Sequence, residues 1–154
     1  MLSLRFDRAF AAMVLAAALA AAPALAQDKL TSKLRTIPVK IGAHALRVEV
    51  ADSDDSRSRG LMYRQAMGHN DGMLFIFEDP GYHSMWMQNT YIPLSVAFID
   101  GEGKILNILD MEPKTQDTHT AAGPARYAIE TNKGWFAEKR IKAGDKVTGL
   151  PAPR

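Results

Sequence analysis

The chain has 154 residues, with 19 basic and 17 acidic side chains, a formal net charge of +2 and no cysteine. The lack of cysteine excludes disulfides, thiolate metal sites and cysteine nucleophiles, so stability must come from packing. The near-balanced charge excludes the basic face that a nucleic-acid partner would require and supplies no polybasic anchor for an acidic membrane.

The first predicted element is a secretory signal peptide over residues 1–26. Arg5 and Arg8, partly offset by Asp7, give a positive amino end, and an uncharged run of 14 residues follows from Ala9 to Ala22. Pro23 breaks that run, and Ala24-Leu25-Ala26 has the small residues of a cleavage site. A retained anchor would need about 20 apolar residues. Cleavage after Ala26 and a periplasmic or secreted destination are therefore expected, without stable membrane insertion. No cysteine follows the run to take a lipid. The remaining 154 − 26 = 128 residues suit one domain with a real core, and removing Arg5, Arg8 and Asp7 leaves 17 basic and 16 acidic side chains.

Residues 27–36 are polar and aperiodic, a flexible lead-in to a single domain over 37–150. Ile37–Ile41 and His44–Val50 read as a hairpin around Gly42-Ala43, where glycine first in a two-residue loop suits a type II′ turn. Ser53 predicts the cap of a short helix, with Asp54 and Asp55 at its positive end and Arg57 and Arg59 further along, before Gly60 weakens it. Residues 65–72 read as loop. Met73–Phe77 is a compact apolar run between Gly72 and Asp79-Pro80-Gly81, better suited to a buried strand than to a helix.

His83–Gln88 is a further strand candidate, followed by a polar corner at Asn89-Thr90. Leu94–Ile99 and Lys104–Met111 form a hairpin through Asp100-Gly101-Glu102-Gly103. Glu112–Pro124 is a polar loop of a length that often carries function. Tyr127–Thr131 reads as a strand, Asn132 as the cap of a helix over Lys133–Arg140, and Lys146-Val147 as the centre of a last strand. Seven or eight short strands with two short helices, and no alternation of strands with long helices, predict a mainly β fold, an antiparallel barrel or sandwich.

Several blocks then occur in one order: Val48–Asp52, Arg59–Met62, Gly72–Phe77, Trp86–Thr90, Ile92–Leu94, Ala128–Glu130, Gly134-Trp135 and Ile141–Asp145. The series resembles the bacterial and archaeal family called domain of unknown function 192, DUF192, over about Val39 to Val147. The resemblance implies a small, β-rich, usually exported domain, and it brings no established activity, substrate or cofactor. Members usually carry lysine where this chain has Gln88. Many carry cysteine after the proline matching Pro113, where this chain has Lys114, so any role of that cysteine is lost here.

Trp86-Met87-Gln88-Asn89-Thr90 is the most suggestive block. Strand alternation would put Trp86 and Gln88 on one face and His83, Met85 and Met87 on the other. A tryptophan beside Asn89 and Thr90 is a stacking platform with hydrogen-bond donors for a sugar or peptide. The simpler alternative is a core tryptophan, with Asn89 and Thr90 closing a turn.

His83, Met85 and Met87 could instead hold monovalent copper, which favours thioethers and imidazole, although methionine is an ordinary core filler. Arg59 and Glu130 are charges in apolar surroundings that either hold a polar ligand or pair with each other, pairing being the simpler account. Asp52, Asp54, Asp55, Asp110 and Glu112 could supply a carboxylate pair for glycoside cleavage, but each also suits a helix start or a solvated loop. No serine sits in a nucleophile elbow, and His-Glu-x-x-His and phosphate-cradling glycine loops are missing.

The resulting expectation is a non-catalytic binding or accessory module for a glycan or cell-envelope ligand, with no cofactor. Its ligand-binding residues would be Arg59, Trp86, Gln88, Asn89, Thr90 and Glu130. A copper-handling protein using His83, Met85 and Met87 is the alternative, and a carboxylate-pair hydrolase the third reading.

Overall fold

The computed structural model describes residues 33–152, so the signal peptide expected over 1–26 and most of the lead-in lie outside the described residues. The described residues form a mainly β domain, with nine strands and two short helices among them. β1 (Thr36–Ile41) and β2 (His44–Ala51) form the expected hairpin, and Gly42 takes the left-handed φ of +57° that glycine first in a type II′ loop supplies. α1 (Asp54–Arg59) starts at Ser53, whose side chain and that of Ser56 cap each other's backbone N–H groups.

β3 (Asp71–Gly81), β5 (Leu94–Ile99), β6 (Ile105–Met111) and β8 (Ala125–Asn132) complete most of the main sheet, and β9 (Val147–Thr148) adds to its edge beside β1. Its order is β6-β5-β8-β3-β2-β1-β9, antiparallel except for β2 against β3. The chain between that parallel pair carries α1 across one face. β4 (Ser84–Met85) and β7 (His119–Thr120) form a separate two-stranded ribbon.

The sheet curls until its two outer strands meet at one end. Ile105 N–H donates to Asp145 O (2.9 Å), Gly144 N–H to Ile105 O (2.8 Å) and Val147 N–H to Gly103 O (2.8 Å), around a bridge between Lys104 and Lys146. Closure of this kind satisfies edge groups that would otherwise invite pairing with another chain. In the β5–β6 hairpin, Asp100 Oδ1 accepts from the N–H groups of Glu102 and Lys104, both at 2.9 Å. The hairpin is the one the sequence predicts, and the aspartate side chain fixes its loop by bonding the backbone ahead of it.

Both faces of the central strands carry a buried apolar cluster, which explains the continuous apolar runs at 73–77 and 94–99. Leu74, Ile76, Ala97, Ile99, Tyr127 and Ile129 join one buried cluster with Trp135 and Phe136 of α2 (Trp135–Glu138). Met73, Phe75, Phe77, Val96, Phe98 and Ala128 join the other, on the opposite face, with Leu61, Met87, Ile92, Met111 and Ala121 packed over it. Burying a side chain of this size contributes about 1.5–3 kcal/mol.

Three local expectations are corrected. β3 has 11 residues, not five, because pairing with β8 resumes at Gly81 opposite Ala125 beyond an irregularity. The strand expected over His83–Gln88 is regular only at Ser84–Met85, because β7 offers just two partner residues. The helix expected over Lys133–Arg140 is one turn, Trp135–Glu138, behind Gly134. Asn132 does not cap it: it ends β8, and its amide donates to Gly68 O at 2.9 Å and Met67 O at 3.4 Å.

Candidate functional site

The second apolar face is incompletely covered. Between α1 and the β4 segment, over β3 and β8, lies a cleft of about 450 Å³, within the range of small-molecule sites. Its apolar walls are Leu61, Met62, Phe75, Phe77 and Met85. The C-terminal turn of α1 brings Arg57 and Arg59 to one side, the end of β3 brings Glu78 and Asp79, and His83 and Trp86 come from the β4 segment.

Glu130 is the buried polar group of this cleft. In β8 it lies opposite Met73 of β3 and Val96 of β5, so its side chain emerges on the second apolar face. The residue is 4% exposed and lines the cleft. Its carboxyl makes no hydrogen bond or ion pair with the described residues, and burial alone pushes it up to about 8. The expected Arg59–Glu130 ion pair is therefore not formed, although both residues line the cleft. Arg59 ends α1 as an exposed residue, whereas Glu130 is set in the sheet below it.

Arg57 is firmly held. Its guanidinium donates to Ile76 O (3.0 Å), Asp54 (2.5 Å) and Glu78 (3.2 Å), tying α1 to β3. Gly60 permits the helix to end against the sheet: a Cβ there would stand 3.3 Å from Phe75 Cζ, and its φ is +46°.

Trp86 is not a core residue. It is 52% exposed at the mouth of the cleft, the orientation a stacking platform needs. Thr90 combines both sequence readings, since it lines the cleft while its Oγ1 donates to Gln88 O at 3.2 Å and closes the corner. Gln88 and Asn89 do not line the cleft. Asn89 takes φ +55°, and its carbonyl accepts from Tyr63 N–H at 2.9 Å. Tyr63, at φ +64°, meets Tyr91 edge-on at 6.0 Å. The two-face alternation expected for 83–88 fails where the strand ends, and the consecutive residues His83, Ser84, Met85 and Trp86 all line the cleft.

Of the copper set, His83 stacks on Phe77 at 3.8 Å and Met87 is fully buried in the second cluster. Met85 lines the cleft. Groups of three or more His, Cys, Asp or Glu side chains able to hold a metal are missing among the described residues. None of the five carboxylates proposed from sequence for glycoside cleavage lines the cleft. Asp54 binds Arg57, Asp110 accepts from Ser95 Oγ (2.5 Å), and Glu112 pairs with Lys133. The cleft carboxylates are Glu78, Asp79 and Glu130.

Sequence reasoning missed Arg57, Phe75, Phe77, Glu78 and Asp79. Glu78-Asp79 precedes Pro80-Gly81 and carries the composition of a turn, so the one available signal was the unbroken apolar run that leads into it.

The model of a family described as DUF192, "Uncharacterized ACR", matches residues 37–149. The chain belongs to the DUF192 family. Among solved structures, it is similar to a protein of unknown function from Novosphingobium aromaticivorans DSM 12444, at 35% identity and a TM-score of 0.73, over 88% of this chain and 99% of that one. It is also similar to a "putative transcription regulator" from Sinorhizobium meliloti 1021, at 32% identity and a TM-score of 0.73, over 76% of this chain and 95% of that one. A search of curated proteins finds no match. Membership accounts for the β-rich single domain, and the cleft is built largely from blocks that carried the resemblance: Arg59–Met62, Gly72–Phe77, Trp86–Thr90 and Ala128–Glu130.

Proposed function

We propose that this DUF192 domain is a non-catalytic binding module for a glycan-type ligand of the cell envelope, acting outside the cytoplasm. The observation that carries the reading is the half-exposed Trp86 ring at the mouth of a cleft walled by Phe75 and Phe77. Sugar rings present apolar C–H faces that stack on aromatic rings, while their polar edges need the few convergent polar groups that Thr90 and Glu130 provide here. The regulator label of the Sinorhizobium relative would call for a DNA-binding surface. The 17 basic and 16 acidic side chains left after removal of Arg5, Arg8 and Asp7 supply no charge excess for one.

Calorimetric titration with neutral oligosaccharides, cellotriose and N-acetylated chitotriose, tests the site. Trp86→Ala should weaken binding at least tenfold, about 1.4 kcal/mol. Its urea midpoint should stay unchanged, because Trp86 is exposed. A variant that binds as wild type would place the ligand elsewhere. Export rests on the Ala24-Leu25-Ala26 site behind the apolar run. Amino-terminal sequencing of the extracytoplasmic protein should begin at Gln27, and a full-length species retained in the membrane would defeat this part of the reading.

A further inference from the structure

Glu130 has no structural task among the described residues. It caps no helix, makes no ion pair and receives no hydrogen bond, yet it occupies a central strand of the sheet between Met73 and Val96. An unpartnered polar group in such a place destabilises a fold by about 1–3 kcal/mol, so its presence calls for a reason outside folding. The carboxyl lines the cleft, where a ligand can reach it.

We propose that the Glu130 carboxyl is the specificity group of the cleft, donating its O–H to the carbonyl oxygen of an acetamido group on a neutral, N-acetylated sugar whose ring stacks on Trp86. The inference rests on the glycan-binding reading and narrows it to one substituent. Three observations support it.

The first is charge balance. The ionic side chains facing the cleft besides Glu130 are Arg57 and Arg59 from α1 and Glu78 and Asp79 from β3, two of each sign, with His83 from the β4 segment the remaining titratable group. The strands flanking Glu130 place only Met73 and Val96 directly beside it. A neutral acid thus leaves a site without net charge, suited to a neutral ligand. The second is protonation: burial raises Glu130 to about 8, so at pH 7 the group is mostly a hydrogen-bond donor with no acceptor in the protein. The third is shape, because an acetamido group pairs a carbonyl acceptor with a methyl, and the cleft pairs a donor with the apolar walls of Leu61, Met62 and Phe75.

The experiment measures affinities of N-acetylated chitotriose, its deacetylated counterpart and cellotriose at pH 7, then follows the acetylated trimer to pH 9.5. The acetylated trimer should bind at least tenfold more tightly than either of the others. Since the protonated acid binds, its affinity should hold near pH 7 and fall about 30-fold by pH 9.5 as the carboxyl ionises. Glu130→Gln, whose amide still donates, should bind within about threefold of wild type at pH 7 and lose the pH dependence, and Glu130→Leu should lose at least tenfold.

A flat wild-type profile, a pH dependence that persists in Glu130→Gln, or a deacetylated trimer that binds as tightly overturns the assignment. If cellotriose then still binds in a Trp86-dependent way, the glycan reading survives and only the acetamido inference falls. If none of the three sugars binds, both fall.

Discussion

Glu130→Gln should stabilise the protein at alkaline pH and leave it almost unchanged at pH 4. The Glu130 carboxyl rises from its ordinary 4.5 to about 8 in the folded domain because burial penalises its charged form. Between those values the unfolded chain has released the proton while the folded chain keeps it, so the folded state binds more protons and stability falls as pH rises. The loss begins near pH 4.5, grows by about 1.4 kcal/mol per pH unit, and levels off above pH 8. Its ceiling is on the order of 5 kcal/mol, reduced by whatever water follows the charge into the cleft. Glutamine has nearly the same shape and no proton to lose. Urea denaturation should therefore show wild type and variant within about 0.5 kcal/mol at pH 4, and the variant ahead by about 2–5 kcal/mol at pH 9. A variant less stable than wild type at pH 9 would mean that the carboxylate is paired in the folded state.

That outcome would restore the pairing with Arg59 that the sequence suggests, and the structure reverses its sign. Removing one partner of a buried pair costs about 3–5 kcal/mol, whereas neutralising an unpaired buried carboxylate relieves a penalty. The same substitution thus separates a structural ion pair from a carboxyl kept for a ligand.

Gly72→Ala is the second substitution with a large expected effect. Gly72 pairs with Thr131 in the β3–β8 ladder, and a Cβ there would stand 2.5 Å from Glu130 O and 3.5 Å from Val48 Cγ1. The carbonyl belongs to a central strand and cannot retreat without parting β3 from β8 on the segment that carries Glu130. A loss of about 3 kcal/mol is expected, at the upper end of ordinary overpacking. Gly101→Ala is the control: nothing lies within 4 Å of that position and its φ is not left-handed, so its effect should stay within about 0.5 kcal/mol. Equal urea midpoints for the two variants would show that the strands tolerate the methyl group.

The parts of this fold legible in the sequence are those set by local chemistry. Ser53 with Asp54 and Asp55 marks the start of α1, Gly42-Ala43 marks the first hairpin, and Asp100–Gly103 marks the second. The run Met73–Phe77 reads correctly as a buried strand and Leu94–Ile99 as a hairpin strand, and two covered faces leave neither with polar alternation. What stayed hidden depends on distant partners. The parallel pairing of β2 with β3 has no local signature, and Asn132 has the composition of a cap but serves carbonyls more than 60 residues earlier.

The site divides the same way. Arg59, Trp86, Thr90 and Glu130 stood out as polar or aromatic residues in apolar blocks, and all four line the cleft. Gln88 and Asn89 adjoin Trp86 and Thr90 in sequence, but the chain turns at that corner and carries them off the cleft wall. Phe75 and Phe77 could not be told from core residues, since they are both at once: packed in the second cluster and lining the cleft.

The central claim is that the cleft holds an unpaired carboxyl kept for a ligand, and carbon-13 NMR titration of glutamate-labelled protein reads it directly. The Glu130 carboxyl resonance, assigned by its loss in Glu130→Gln, should titrate near pH 8 in the free protein. Saturation with N-acetylated chitotriose should move its midpoint upward by about a unit or more, because the ligand binds the protonated form. A free-protein midpoint in the ordinary carboxylate range, or one that the sugar leaves in place, would contradict the account.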